Sequence, residues 1–136
     1  FSRAKGADKV ILVSDVGALA GSPPGVYDWG AARIRVHNDG HLQLHGTEFL
    51  AGAGHLLNRC VAQYARHGTG SPADSVRACT TTPARLLSLS GKQIGLAVGA
   101  PADLVRFYLS SEREEARIVS VMRRGRVVWE EHGYGE

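Results

Sequence analysis

Val10-Ile11-Leu12-Val13-Ser14-Asp15 is the stretch on which the reading of the fold turns. A continuous apolar run rich in β-branched residues reads as a strand buried on both faces, the pattern of a parallel sheet in an α/β fold. The run stops abruptly at Ser14-Asp15, and the segment from Gly17 to Gly25, with Pro23-Pro24 inside it, reads as loop. A carboxylate at the C-terminal end of such a strand, followed by a Gly-rich loop, stands where α/β barrels and doubly wound sheets keep their sites. Asp15 is therefore the first candidate for chemistry. The local pattern leaves a second reading open, an aspartate that caps the turn after the strand.

Outward from that strand the periodicity changes. Arg33-Ile34-Arg35-Val36-His37 and His41-Leu42-Gln43-Leu44-His45 alternate around Asn38-Asp39-Gly40, which predicts a β-hairpin over 33–45. Parity decides the register, because opposed residues of an antiparallel pair share a face. A two-residue turn at Asp39-Gly40 would oppose His37 to Leu42 and mix the faces. A three-residue loop with Gly40 left-handed opposes His37 to His41, Val36 to Leu42, Arg35 to Gln43 and Ile34 to Leu44. This second register keeps the apolar and polar sets apart. It puts His37, His41 and His45 on one face, with His37 and His41 near enough to share a metal. No third ligand is evident, so a solvated hairpin surface is the better reading.

The stretch Gly46-Thr47-Glu48-Phe49-Leu50-Ala51-Gly52-Ala53-Gly54 then leads into a helix. Its glycines let the backbone approach a ligand, and the helix start offers free N–H groups; a plain connection is the alternative. His55, at the helix start, reads equally as pocket or surface. Leu56, Leu57, Cys60, Val61, Tyr64 and Ala65 recur at helical spacing, and Gly68 ends that helix. Ser71-Pro72 supplies an N-cap and first-turn proline for a second helix through Val76 and Cys79, with Asp74 in its first turn. Thr82-Pro83 repeats the signal for a short third helix through Leu86 and Leu87. Beyond Gly91 the chain reads as strands at 102–108, 117–122 and 126–130, the last two joined by a tight turn at Arg124-Gly125.

Composition bounds the rest. The 136 residues are 43% hydrophobic and 21% charged, enough apolar mass for one core. That balance excludes a disordered tail, a collagen-like repeat and a disulfide-scaffolded mini-protein. The longest apolar run is Val10 to Val13 itself, too short to span a membrane. Residues Phe1 to Gly6 carry Arg3 and Lys5 without an apolar stretch, so no signal peptide is expected. The chain does not open on Met, which suggests a natural beginning upstream. Net charge is +3, from 16 Lys and Arg against 13 Asp and Glu. Its densest basic stretch, Arg123, Arg124 and Arg126, reads as a solvated turn rather than a nucleic-acid contact. Cys60 and Cys79 form no CxxC pair and fall on apolar helix faces, where they act as small hydrophobes in a reducing, cytoplasmic setting.

Several of these pieces together carry a resemblance. They are Ile11-Leu12-Val13-Ser14-Asp15 with its Gly/Pro loop, the hairpin, Leu50-Ala51-Gly52 at a helix start, and Thr82-Pro83-Ala84-Arg85. Gly95-Leu96-Ala97-Val98-Gly99-Ala100-Pro101-Ala102-Asp103-Leu104-Val105 completes the set. The order resembles the C-terminal part of amidohydrolase-superfamily enzymes and, more narrowly, the N-acetylglucosamine-6-phosphate deacetylase family, over nearly the whole chain. The Gly-x-x-x-Gly-x-x-Ala-Asp-Leu signature is specific for the superfamily. Ser14-Asp15, the hairpin and Leu50-Ala51-Gly52, in that order, narrow it to the family.

The resemblance implies an α/β fold: the C-terminal portion of a (β/α)8 TIM barrel over residues 1–93, with its last strand, the hairpin and the helices. Residues 94–136 would supply strands of a small β-sandwich built from both chain ends. Asp15 would match the family's catalytic aspartate, taking a proton from a metal-bound water that attacks the N-acetyl carbonyl and returning it to the departing amine. Leu50, Ala51 and Gly52 would match a substrate-contacting segment, and Asp103 a structural position. The position after Gly52, usually Ser in the family, is Ala53 here.

The implied cofactor is a divalent metal ion, zinc or iron, held mainly by residues outside this chain, since a (β/α)8 barrel takes about 250 residues. The implied partner is a phosphorylated N-acetyl amino sugar, with no nucleic acid, no membrane and a homodimer at full length. Such a piece would be inactive alone and would expose apolar surface along Val10–Val13. Two rival readings stand beside this one. One is another amidohydrolase of the D-aminoacylase or dihydroorotase type; the other is a non-catalytic β-rich interaction or carbohydrate-binding module.

Overall fold

The structure is a computed structural model and describes residues 2–68, 70–89, 95–110, 112 and 114–131. It is a mixed α/β arrangement with two three-stranded antiparallel sheets. By contacts the chain forms two units, Val13–Cys60 and Phe1–Leu12 together with Val61–Glu136.

In the unit Val13–Cys60, β1 (Gly25–Trp29), β2 (Ala32–Val36) and β3 (Leu42–Leu44) lie in that order. The β2–β3 register is the one parity predicts: Ile34 with Leu44, Arg35 with Gln43, Val36 with Leu42. His37 N–H donates to the His41 carbonyl at 3.0 Å, and Gly40 closes the loop at φ +86°. That backbone conformation excludes most side chains, so glycine is the residue that lets the loop close in three. Ile34, Val36 and Leu42 are buried and pack with Leu19, Tyr27, Leu44 and Ala51.

Strand β1 is an addition to the sequence reading. Val26-Tyr27-Asp28-Trp29 is rich in β-branched and aromatic residues, but Pro23-Pro24 before it and Gly30 after it mask so short a run. It pairs with β2 through Val26–Arg35 and Tyr27–Ile34. The Tyr27 hydroxyl donates to the Pro23 carbonyl at 2.7 Å, fastening the preceding loop to the strand.

The expected doubly buried strand at Val10–Val13 is corrected. Among the described residues no sheet pairing forms there; Val10 is buried, but Ile11 is 36% and Val13 71% exposed. A central parallel strand is stable when neighbours take up its N–H and C=O groups on both edges. Among the described residues the Leu12 N–H is taken up by the Ala78 carbonyl at 3.0 Å, on a helix rather than a strand, and the parallel bridge between Val16 and Ala53 lies beyond the apolar run. Exposed apolar surface on this segment matches the sequence expectation.

The other unit opens with the helical turn α1 (Ser2–Lys5). It continues through α2 (Leu57–His67, from Val61 onward), α3 (Pro72–Cys79) and α4 (Thr81–Leu86). Helix α3 starts as its sequence demands. Ser71 Oγ accepts the Asp74 N–H at 3.3 Å, and the Asp74 carboxylate accepts the Ser71 N–H at 2.6 Å, a reciprocal capping box. The Ser71 N–H, and then its hydroxyl, hold the Asp74 carboxyl below the usual aspartate range.

The second sheet runs β4 (Leu104–Tyr108), β5 (Arg117–Arg123) and β6 (Arg126–Glu130). Arg124 and Gly125 both take positive φ in the β5–β6 turn. Asp103 Oδ1 accepts the Arg124 N–H at 2.6 Å and ties that turn to the start of β4. Glu131 pairs with Arg117 at 2.8 Å and holds the guanidinium above its usual pKa. The expected division at 93/94, and the Gly91 boundary, lie outside the described residues. Among the described residues no helix is long and apolar enough to cross a membrane.

Candidate active site

The Val13–Cys60 unit brings the two sequence-derived candidates, Asp15 and Leu50-Ala51-Gly52, side by side. Asp15 is exposed and sits at φ +51°, in the left-handed region that, glycine aside, is entered mainly by Asn, Asp and His. Its carbonyl accepts the Ala53 N–H at 2.8 Å, and the Gly17 N–H donates to the Ala53 carbonyl at 2.9 Å. Ala53 thus grips the chain on both sides of Val16.

Glycines stand on both sides of this contact, Gly52 for its backbone conformation and Gly17 for its closeness to Leu42. Gly52 lies at φ +102°, and a Cβ on it would stand 3.5 Å from the Asp15 carbonyl oxygen and from Gly17 N. A Cβ on Gly17 would come within 2.6 Å of Leu42 Cδ1. The site is therefore laid directly on the hairpin core.

The other side of the segment is fastened to β3. Leu44 N–H donates to Phe49 O and Ala51 N–H to Leu42 O, both at 2.9 Å, and Gln43 bridges to Leu50. The Gln43 amide nitrogen also donates to Thr47 O at 2.7 Å. Residues 50–53 therefore form a strap whose two edges touch β3 and the Asp15–Gly17 turn. Leu50 itself is 74% exposed. Farther along, a Cβ on Gly54 would overlap the Gly40 carbonyl, and the His55 ring lies beside Gly40. Sequence reasoning names Gly17 only as the start of a loop and Ala53 only as a departure from the family's Ser, and gives neither a place in the site. The signal for Gly17 was there, a glycine two positions after the candidate aspartate.

The hairpin histidines are engaged differently. His37 and His41 stack with ring centroids 3.8 Å apart and an interplanar angle of 13°. His41 Nδ1 meets Asp39 Oδ1 at 2.7 Å, and His37 Nε2 meets Gln43 Oε1 at 2.7 Å. His45 Nδ1 lies 3.4 Å from the Arg35 guanidinium. The His41 ring, and then its backbone N–H, hold the Asp39 carboxyl below the usual range. Stacked rings direct their in-plane lone pairs along parallel planes, which does not suit one shared ion. Among the described residues, no group of three or more His, Cys, Asp or Glu is placed to hold a metal. The donors present do not by themselves fit a metal site.

An exposed carboxylate held in a sparsely populated conformation beside a glycine-opened strap suits proton transfer at the edge of an open site. No family model matches the chain. A curated N-acetylglucosamine-6-phosphate deacetylase from Danio rerio is 30% identical over 97 residues, which is 71% of this chain and 24% of that protein. The crystal structure of N-acetylglucosamine-6-phosphate deacetylase from Thermotoga maritima superposes with a TM-score of 0.78 at 25% identity. It covers 96% of this chain and 34% of that one. This chain resembles N-acetylglucosamine-6-phosphate deacetylases.

The Mycobacterium smegmatis deacetylase gives a TM-score of 0.77 at 28% identity, over 94% of this chain and 33% of that one. A variant of the same deacetylase, with an aspartate replaced by alanine, was solved in complex with N-acetyl-D-glucosamine-6-phosphate; it matches with a TM-score of 0.74 at 28% identity. The chain spans about a quarter of the curated deacetylase and about a third of the solved ones.

Proposed function

We propose that this chain is the C-terminal part of a cytoplasmic amidohydrolase that hydrolyses the N-acetyl group of N-acetylglucosamine 6-phosphate, giving glucosamine 6-phosphate and acetate. The observation that carries the reading is the placement of Asp15 against the Leu50-Ala51-Gly52 strap, in a chain similar to the deacetylases along most of its length. Asp15 acts as general base toward the attacking water and then as general acid toward the departing amine. An unprotonated amine is a poor leaving group, so returning the proton matters as much as removing it. Leu50, Ala51 and Gly52 form the wall against which the sugar phosphate lies, with glycine keeping the backbone accessible.

On this reading residues 1–93 complete a (β/α)8 barrel with chain from outside this sequence, and Val10–Val13 gains its neighbouring strands there. Residues 94–136 supply one side of a small β-sandwich. A divalent metal, zinc or iron, belongs to donors outside this chain, and the working enzyme is a homodimer. The role derived for the present residues is confined to the carboxylate and the strap.

The test is acetate release from N-acetylglucosamine 6-phosphate, measured for the polypeptide that carries this chain and for the 136 residues alone. The proposal expects turnover in the first and none in the second, with no tight metal binding by the 136 residues. Metal-dependent turnover by the 136 residues, or none by the longer polypeptide, would contradict it.

A further inference from the structure

We infer that Gly52 and Ala53 are positioning residues for Asp15, a backbone strap that fixes it in the left-handed conformation it takes here. The kinetic consequence rests on the role proposed for Asp15; the structural half rests on hydrogen bonds alone. Aspartate is one of the few L-residues that visit φ near +50°, and when released it also populates extended and right-handed conformations. Here the restraint is a closed pair of bonds, Ala53 N–H to the Asp15 carbonyl at 2.8 Å and Gly17 N–H to the Ala53 carbonyl at 2.9 Å. Together they fix the peptide planes on both sides of Val16.

Gly52 makes this grip sterically accessible. Its φ of +102° is one that L side chains rarely adopt, so a side chain there strains the backbone next to Ala53, although a Cβ would meet the Asp15 oxygen only at an ordinary contact of 3.5 Å. The strap is itself fixed through Ala51 N–H to the Leu42 carbonyl at 2.9 Å, and Leu42 is 1% exposed. A continuous path of backbone bonds thus runs from the buried core of the hairpin to the proposed acid/base. The segment proposed to meet the substrate is also the one that sets the carboxylate's backbone.

Hydrogen exchange on the 136-residue chain reads the strap directly. Gly52→Ala is expected to lower protection of the Ala53 and Gly17 amides about tenfold or more, while the His37 amide in the hairpin stays protected. Gly46→Ala is the control, since Gly46 shares a positive φ, +82°, but nothing lies within 4 Å of its would-be Cβ. It should leave the Ala53 amide protected. The reverse substitution guards against a Gly52 variant that fails to fold. Asp15→Val, incompatible with a left-handed backbone, should release the Ala53 amide, whereas Asp15→Asn should not.

In the polypeptide that carries this chain, acting on N-acetylglucosamine 6-phosphate, Gly52→Ala should lower kcat about 100-fold with a smaller change in KM. It should also move the acidic limb of the kcat–pH profile, and Gly46→Ala should do neither. Unchanged Ala53 protection in both Gly52→Ala and Asp15→Val overturns the inference. So does an unchanged kcat in Gly52→Ala when Asp15→Asn abolishes turnover. If Asp15→Asn itself keeps full turnover, the proposed function fails, and the exchange data still decide the strap.

Discussion

The two sheets are built alike and finished differently. Each has three antiparallel strands and a tight turn with a left-handed glycine. In β2 and β3 the apolar residues alternate with polar ones, and Ile34, Val36 and Leu42 are 8%, 3% and 1% exposed. Leu19 and Ala51, on the two segments that flank the site, cover that face. In β4–β6 the pattern Arg126-Val127-Val128-Trp129-Glu130 does not alternate, and all five residues are exposed, Val128 at 59% and Trp129 at 47%. A strand apolar on both faces is built to be covered on both. The contrast teaches that the β2–β3 face beneath the site is covered within its own unit, while β6 presents apolar residues on both faces for a cover. On the proposed reading that cover comes from the rest of a β-sandwich.

The largest effect that would break this contrast is expected at Leu42. Leu42→Ala should destabilise the Val13–Cys60 unit by about 2–5 kcal/mol, read by urea unfolding followed at Trp29. A loss below that range would mean the hairpin core is not what holds the site. Next comes Ser71→Ala, in the unit that carries β4–β6. It should cost about 1 kcal/mol through the lost cap and leave exchange at the His37 amide unchanged. Val128→Ala should change stability by no more than about 0.5 kcal/mol in this chain. A larger loss would show that β6 is already covered.

A pH series separates the regions least. Asp39 in one unit and Asp74 in the other are both held below the usual aspartate pKa in the folded chain. Each therefore favours the folded state above the unfolded value near 3.8, and that contribution disappears as pH falls through the lower, folded value. Carboxyl titration by NMR should place both midpoints below 3.8.

Much of this was legible from residues. The hairpin register followed from parity, because a slip of one would have exposed Val36 and Leu42. The start of α3 followed from Ser71, Pro72 and Asp74, whose cap is local and needs no tertiary partner. Strand β1 was hidden by the Pro23-Pro24 and Gly30 that bound it. Val10–Val13 reads in sequence as a formed strand because a β-branched apolar run encodes the need for neighbours, not their presence. Asp15 and Leu50-Ala51-Gly52 were each visible, but their juxtaposition depends on Ala53 bonding across a long stretch of intervening chain. Periodicity does not carry that kind of pairing; Gly17 and Gly52 were its one trace.

The most direct test of the central claim is Asp15→Asn in the polypeptide that carries this chain, assayed for acetate release from N-acetylglucosamine 6-phosphate. Asparagine tolerates the left-handed backbone, so the strap should survive and the ligand should still bind. The account predicts a fall in kcat of about 10²–10⁴-fold with the Ala53 amide still protected from exchange. Turnover left unchanged by Asp15→Asn would contradict it.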